Sequence, residues 1–295
     1  MNGDFKMNLC NLGNIKSIMN AFGIVFRKEF GQNFLTNRSV VEDIADSCAE
    51  SSETTILEIG PGIGVLTQEL ALRYKKVIAL EIDKSLIPVL SYTLGNFKNV
   101  EVINEDVLKT DLDALLAPYF ENGKVAVCAN LPYYITTPIL MKLLESRLPF
   151  EAITVMVQSE VADRLCAKAG KSEYGAITAS VAYYGSAERL FKVPSYNFVP
   201  QPKVDSAVLK ITLYKEKPYK PRSEEMLFRT IKAAFEQRRK TLSNALSSGF
   251  SELSKDEIAD TIEKCGHRRD IRGERLGISD FVALSDALLG KIEEK

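Results

Sequence analysis

The sequence predicts an α/β fold: a mostly parallel sheet of seven strands flanked by helices, followed by a small all-helical C-terminal domain. Three observations carry this prediction. From residue 54 to about 213, short apolar runs alternate with helically patterned stretches, as strands and crossover helices of a parallel sheet do. A charged, proline-bearing stretch, Lys215-Glu216-Lys217-Pro218-Tyr219-Lys220-Pro221, then reads as a linker. Beyond it, apolar positions recur only at helical spacing. The domains are accordingly placed at 1–214, with an N-terminal extension over 1–26, and at 215–295.

A helical pattern covers 40–47, and the first strand, Thr55-Ile56-Leu57-Glu58-Ile59, follows it. Helix 65–73, strand 77–80, helix 84–94 and strand 100–103 come next. The run Val125-Ala126-Val127-Cys128-Ala129 is unbroken and apolar, the pattern of a strand buried on both faces. Helix 138–145, strand 153–157 and helix 160–169 continue the alternation. Strands 189–193 and 207–213 have only a polar, proline-containing segment between them, which predicts an antiparallel edge rather than a helical crossover. The tail is predicted as helices 224–235, 241–247, 256–265 and 279–289. The first twenty or so residues give no functional signal.

Of 295 residues, 45% are hydrophobic and 26% charged, ordinary values for a soluble globular protein. No apolar run approaches the roughly 18 residues that a membrane span needs. Asp4, Lys6, Asn8, Asn11 and Asn14 break up any signal-peptide core, so a cytoplasmic protein is expected. Cys10, Cys48, Cys128, Cys166 and Cys265 are odd in number and scattered, which fits reduced thiols. With His267 the single histidine, no multi-histidine metal site is possible, and no metal is expected. The net charge of −1 hides an asymmetry: residues 215–240 hold nine basic against four acidic side chains. Lys264, Arg268, Arg269, Arg272 and Arg275 form a second basic cluster. Concentrated positive charge is the footprint of phosphate binding, though such a run is more often a solvated helix face. Arg238, Arg239, Lys240, Arg268 and Arg269 are the candidate contacts.

Leu57-Glu58-Ile59-Gly60-Pro61-Gly62-Ile63-Gly64 sets glycines at the junction of the first strand and its helix. A dinucleotide fingerprint would carry its third glycine at position 65, which is Val, so a pyrophosphate cradle is disfavoured. Glu81 ends the second strand, where a carboxylate can accept hydrogen bonds from both ribose hydroxyls. Asp106 follows the third strand and could accept from an adenine amino group. Gly60 and Gly62, Glu81 with Ile82, and Asp106 with Val107 together describe a nucleoside site without phosphates, which S-adenosylmethionine fits. Turn glycines and exposed acids are a simpler account of each taken alone.

Asn130-Leu131-Pro132-Tyr133 closes the fourth strand. The exocyclic amine of adenine is a poor nucleophile, because its lone pair is delocalised into the ring. The Asn130 oxygen and a backbone carbonyl beside rigid Pro132 could draw that nitrogen toward tetrahedral geometry while Tyr133 stacks on the base. In isolation, the tetrapeptide is more readily a strand-ending turn with a half-buried Tyr.

The full set of motifs resembles the KsgA/RsmA family of ribosomal RNA adenine dimethyltransferases, nearly end to end. The matching stretches are Gly31-Gln32-Asn33-Phe34-Leu35, Glu58 to Gly64, Glu81-Ile82-Asp83, Glu105-Asp106-Val107 and Asn130 to Tyr133. They continue with Gln158-Ser159-Glu160-Val161, Phe198-Val199-Pro200-Gln201-Pro202 and Ala234-Phe235-Glu236-Gln237-Arg238-Arg239-Lys240. The resemblance implies a class I (Rossmann-like) methyltransferase domain and a helical C-terminal domain that binds ribosomal RNA. It implies donor contacts at Asn33, Leu35, Gly60, Glu81, Asp106 and Asn130. The target base would be held by Asn130 and the Leu131 carbonyl, with Tyr133 on one face and Phe198 on the other. From the residues alone, Phe198 reads as a core aromatic. The implied reaction moves methyl groups from S-adenosylmethionine to N6 of two adjacent adenines in a 16S ribosomal RNA hairpin, leaving S-adenosylhomocysteine. It would act on the 30S subunit late in its biogenesis, as a monomer. The alternatives are an erythromycin-resistance type methylase of 23S ribosomal RNA and a mainly non-catalytic assembly factor.

Overall fold

The computed structural model describes residues 7–24 and 33–295. Gly31, Gln32 and part of the predicted N-terminal extension lie outside them. In chain order the helices and strands are α1 (Leu12–Ala21), β1 (Phe34–Leu35), α2 (Arg38–Asp46), β2 (Thr55–Ile59), α3 (Val65–Arg73), β3 (Lys76–Leu80), α4 (Ile87–Leu94), β4 (Val100–Ile103), α5 (Leu112–Glu121), β5 (Val125–Asn130) and α6 (Thr136–Glu145). There follow β6 (Ile153–Gln158), α7 (Ser159–Leu165), α8 (Ala176–Tyr184), β7 (Gly185–Val193), β8 (Phe198–Val199), β9 (Ser206–Leu213), α9 (Glu224–Glu236), α10 (Leu242–Gly249), α11 (Lys255–Lys264) and α12 (Ile278–Glu293). The chain divides into two compact units, Met1–Ala162 with Glu188–Leu213, and Asp163–Ala187 with Tyr214–Lys295. Residues 163–187, which the sequence places ahead of the linker, thus group with the tail.

The main sheet has seven strands in the order β4-β3-β2-β5-β6-β9-β7. The first five are parallel, and β9 runs antiparallel to β6. Every residue of β2 is buried, and β5 stays buried until Asn130, as befits strands covered on both faces. The chain leaves β2 for β3 and β4 on one side, then returns to β5 on the other. The crevice at the carboxyl ends of β2 and β5 is therefore a topological switch point, where open α/β sheets take ligands. A separate antiparallel ribbon pairs Phe34 with Val199 and Leu35 with Phe198.

The predicted N-terminal extension contains α1, capped by the Asn11 side chain, which accepts from Gly13 and Asn14 N–H groups. Ile15, Ile18 and Met19 on one face of α1 join Val41 and Ile44 of α2 in the core. Burial of each such side chain is worth about 1.5–3 kcal/mol. In the second unit, Ser223 caps α9 by accepting from Met226 N. Its buried face, Met226, Leu227, Thr230, Ile231, Ala233 and Ala234, follows helical spacing. The ring of Tyr184 stacks on Phe228 with centroids 5.7 Å apart.

Candidate active site

The turn after β2 depends on backbone conformations that residues with a Cβ avoid. Gly60 and Gly62 have φ of 71° and 62°, a region costing other residues roughly 1–2 kcal/mol. A Cβ on Gly62 would lie 2.9 Å from Phe34 Cε1, whereas one on Gly60 would project into space free of protein atoms within 4 Å. That open space belongs to a cavity at the switch point.

Two carboxyls face this cavity. Glu81, just past β3, is 5% exposed and accepts from Gly62 N at 3.2 Å and Asp83 N at 2.8 Å. Burial pushes its pKa up to about 7 against the pull of those two amides. Glu58, inside β2, is 1% exposed. Burial pushes it up to about 8; the Thr67 hydroxyl opposes the shift and the nearby Glu81 charge adds to it. Glu58 Oε2 is buried without a hydrogen-bond partner. When ionised, these two carboxyls repel a phosphate and suit a cationic ligand with hydroxyl and amino donors. That chemistry fits S-adenosylmethionine.

The opposite wall begins at Asn130. Glu58 lies in register with Cys128, so Gly60 and Asn130 follow two residues further along their adjacent strands. Asn130 Nδ2 donates to the Asn33 carbonyl at 3.1 Å, which directs Oδ1 away as the free acceptor. The Leu131 N–H donates to Met156 O at 3.1 Å. Both Ile135 N and Thr136 Oγ1 donate to the Pro132 carbonyl, at 3.2 Å each. The Tyr133 hydroxyl and Ser206 Oγ are 2.7 Å apart, and Tyr134 is 61% exposed at the rim.

The lining of one cavity thus brings together Asn33, Leu35, Gly60, Gly62, Glu81, Ile82, Asn130, Leu131, Pro132 and Tyr133. Phe34, Glu58 and Tyr134 line it too, without having been singled out as contacts. Glu58 had a legible signal: it is the one charged residue in a strand buried from end to end. Asp106 and Val107 are not in the lining. Asp106 Oδ1 instead accepts from Leu108 N at 2.9 Å within its own turn, and Val107 is buried. Phe198 is 2% exposed and packs in the core, opposite Leu35 in the β1–β8 ribbon.

Among the basic candidates, Arg238 is engaged internally: it donates to the Ser172 and Tyr174 carbonyls and lies 3.9 Å from Glu274. Arg269 pairs with Asp260 and Glu263, and Arg268 with Asp270. Arg239 and Lys240 are exposed. Self-pairing therefore reduces the free positive charge that the sequence suggests. Among the described residues no helix is long and apolar enough to cross a membrane.

Comparison with known proteins places the chain in a family. The family described as "Ribosomal RNA adenine dimethylase" matches residues 23–270. A "Ribosomal RNA small subunit methyltransferase A" of Alkaliphilus metalliredigens is 46% identical over 270 residues, 92% of this chain and 94% of that protein. A solved dimethyladenosine transferase from Plasmodium falciparum has a TM-score of 0.70 at 25% identity, covering 85% of this chain and 95% of its own. A solved 23S rRNA methyltransferase, ErmE, has a TM-score of 0.66 at the same 25% identity, covering 86% of this chain and 99% of its own. The two solved folds are nearly equidistant, but the 46% identity falls on the small-subunit side. The chain belongs to the ribosomal RNA adenine dimethylase family.

Proposed function

We propose that this protein dimethylates N6 of adenines in small-subunit ribosomal RNA, using S-adenosylmethionine. The observation that carries this reading is the shared cavity, with Glu58 and Glu81 on one side and the oriented Asn130 amide on the other. S-adenosylmethionine bound there supplies a methyl group already activated by its sulfonium. Glu81 accepts from ribose hydroxyls, and Gly60 leaves room for close approach. Asn130 Oδ1 and the Leu131 carbonyl accept from the adenine amino group, drawing its lone pair out of conjugation, while Tyr133 provides a stacking face for the flipped base. Positioning and hydrogen bonding are the sources of rate, and no strong base is needed because the amine becomes acidic as the methyl arrives. Asp106 and Val107 remain candidate adenine contacts at the turn after β4. Arg239 and Lys240 lead the candidate RNA contacts.

On this reading the substrate is the 16S ribosomal RNA of an assembling 30S subunit, and the protein works in the cytoplasm as a monomer. Incubation of labelled methyl donor with unmethylated small and large subunits together, followed by mapping of modified adenines, tests it. Two adjacent dimethyladenosines near the 3′ end of the small-subunit RNA are expected; label confined to large-subunit RNA would support the erythromycin-resistance reading instead.

A further inference from the structure

The hydroxyl pair between Tyr133 and Ser206 joins the loop after β5 to a strand 73 residues later. Ser206 is the first residue of β9 and is fully buried, paired in register with Gln158 at the end of β6. Because β9 is antiparallel to β6, its first residue lies at the carboxyl end of the parallel strands, where the cavity opens. The approach to Ser206 is fixed as well. Asp205 Oδ1 accepts from Ser195 N at 2.9 Å, its Oδ2 pairs with Lys192 at 2.7 Å, and its carbonyl accepts from Ser159 N at 2.9 Å. Tyr133 Oη thus meets an anchored partner, which pins the far end of the ring's long axis from β9.

The two methyl transfers place unequal demands on that ring. An unmodified adenine offers two N–H donors, one for Asn130 Oδ1 and one for the Leu131 carbonyl. After one transfer a single N–H remains beside a methyl group, so only one of those acceptors can be used. Orientation of the monomethyl base then rests more heavily on its stacking against Tyr133. In the second transfer, N6 bonds to the methyl carbon, the carbon–sulfur bond breaks with its electron pair going to sulfur, and the last N–H proton passes to water.

We propose that Ser206 is a positioning residue that, by fixing the Tyr133 ring, favours the second methyl transfer over the first. This rests on the reading of Tyr133 as the base-stacking face.

The test measures N6-monomethyl- and N6,N6-dimethyladenosine over a time course on unmethylated small subunits. Ser206→Ala, Tyr133→Phe, their double variant and Tyr133→Ala are compared with the wild type. Loss of a single hydrogen bond should slow the second transfer roughly threefold to tenfold more than the first, so monomethyladenosine accumulates in Ser206→Ala and Tyr133→Phe alike. The double variant should be no worse than either single one, since both remove the same bond. A wild-type product ratio in both single variants, or equal slowing of both transfers, overturns the proposal while leaving the stacking role intact. Tyr133→Phe carries the test should Ser206→Ala fail to fold. Unchanged rates in Tyr133→Ala would instead overturn the stacking reading itself.

Discussion

The Asn130 amide nitrogen donates to the carbonyl of Asn33, 97 residues earlier, at 3.1 Å. This contact settles which end of the amide faces the cavity. Asn130→Asp keeps an acceptor oxygen but places a second oxygen against the Asn33 carbonyl, so the side chain must turn away. Methyl transfer should fall about a hundredfold or more, as expected when an acceptor is misplaced by an ångström or so. Steady-state kinetics on small subunits checks this; activity within a few-fold of wild type would show that the Asn33 contact does not orient the amide.

The buried carboxyls make stability depend on pH in the reverse of the usual acidic-residue sense. Burial holds Glu58 at about 8 and Glu81 at about 7 in the folded protein, above their ordinary values. The folded state therefore binds more protons than the unfolded chain between about pH 4.5 and 8. The associated stability is fully present below that window and is lost as pH rises through it, a change on the order of several kcal/mol. Glu58→Gln should flatten the decline in urea-unfolding free energy between pH 5 and 8.5. An unchanged slope in this variant would rule out Glu58 as its source.

Gly60 and Gly62 separate backbone strain from crowding. Gly60→Ala adds a Cβ to open space, so its stability cost should be limited to about 1–2 kcal/mol of left-handed strain, with a larger loss of donor affinity because the methyl enters the cavity. Gly62→Ala bears the same strain and also meets Phe34 at 2.9 Å, so it should be the less stable of the two. Thermal unfolding and donor titration by calorimetry check both orders.

The ion pairs of the second unit divide its basic residues into two classes. Arg239→Glu with Lys240→Glu should weaken binding to subunit RNA and lower the salt slope by about one to two. Arg238→Ala should instead cost stability, because the guanidinium ties down the Ser172 and Tyr174 carbonyls. Binding titrations at several salt concentrations, alongside unfolding curves, separate the two. Equal effects of all three residues on RNA affinity would dissolve the distinction.

The sheet was legible because its parallel strands are short, mostly apolar runs, and β2 and β4 begin and end where the pattern predicts. α5 escaped notice because it buries only Leu112 and Leu116 and carries Pro118 in its interior. α8 escaped because Ala176 to Tyr184 is buried on nearly every side, leaving no polar stripe to mark a period. The glycine turn, Glu81 and Asn130 were legible as residue types at strand ends. The pairing that sets Phe198 opposite Leu35 was not, since it joins β1 to β8 across more than 160 residues, which no local pattern encodes. Nor was the bond from Tyr133 to Ser206, for the same reason.

On the proposed reading, Asn130 Oδ1 activates the adenine amine. The most direct test of this is single-turnover transfer of labelled methyl into unmethylated small subunits by Asn130→Ala, with subunit binding measured in parallel. Transfer should drop at least about a hundredfold while RNA affinity stays within about twofold of wild type. Transfer at the wild-type rate would contradict the account.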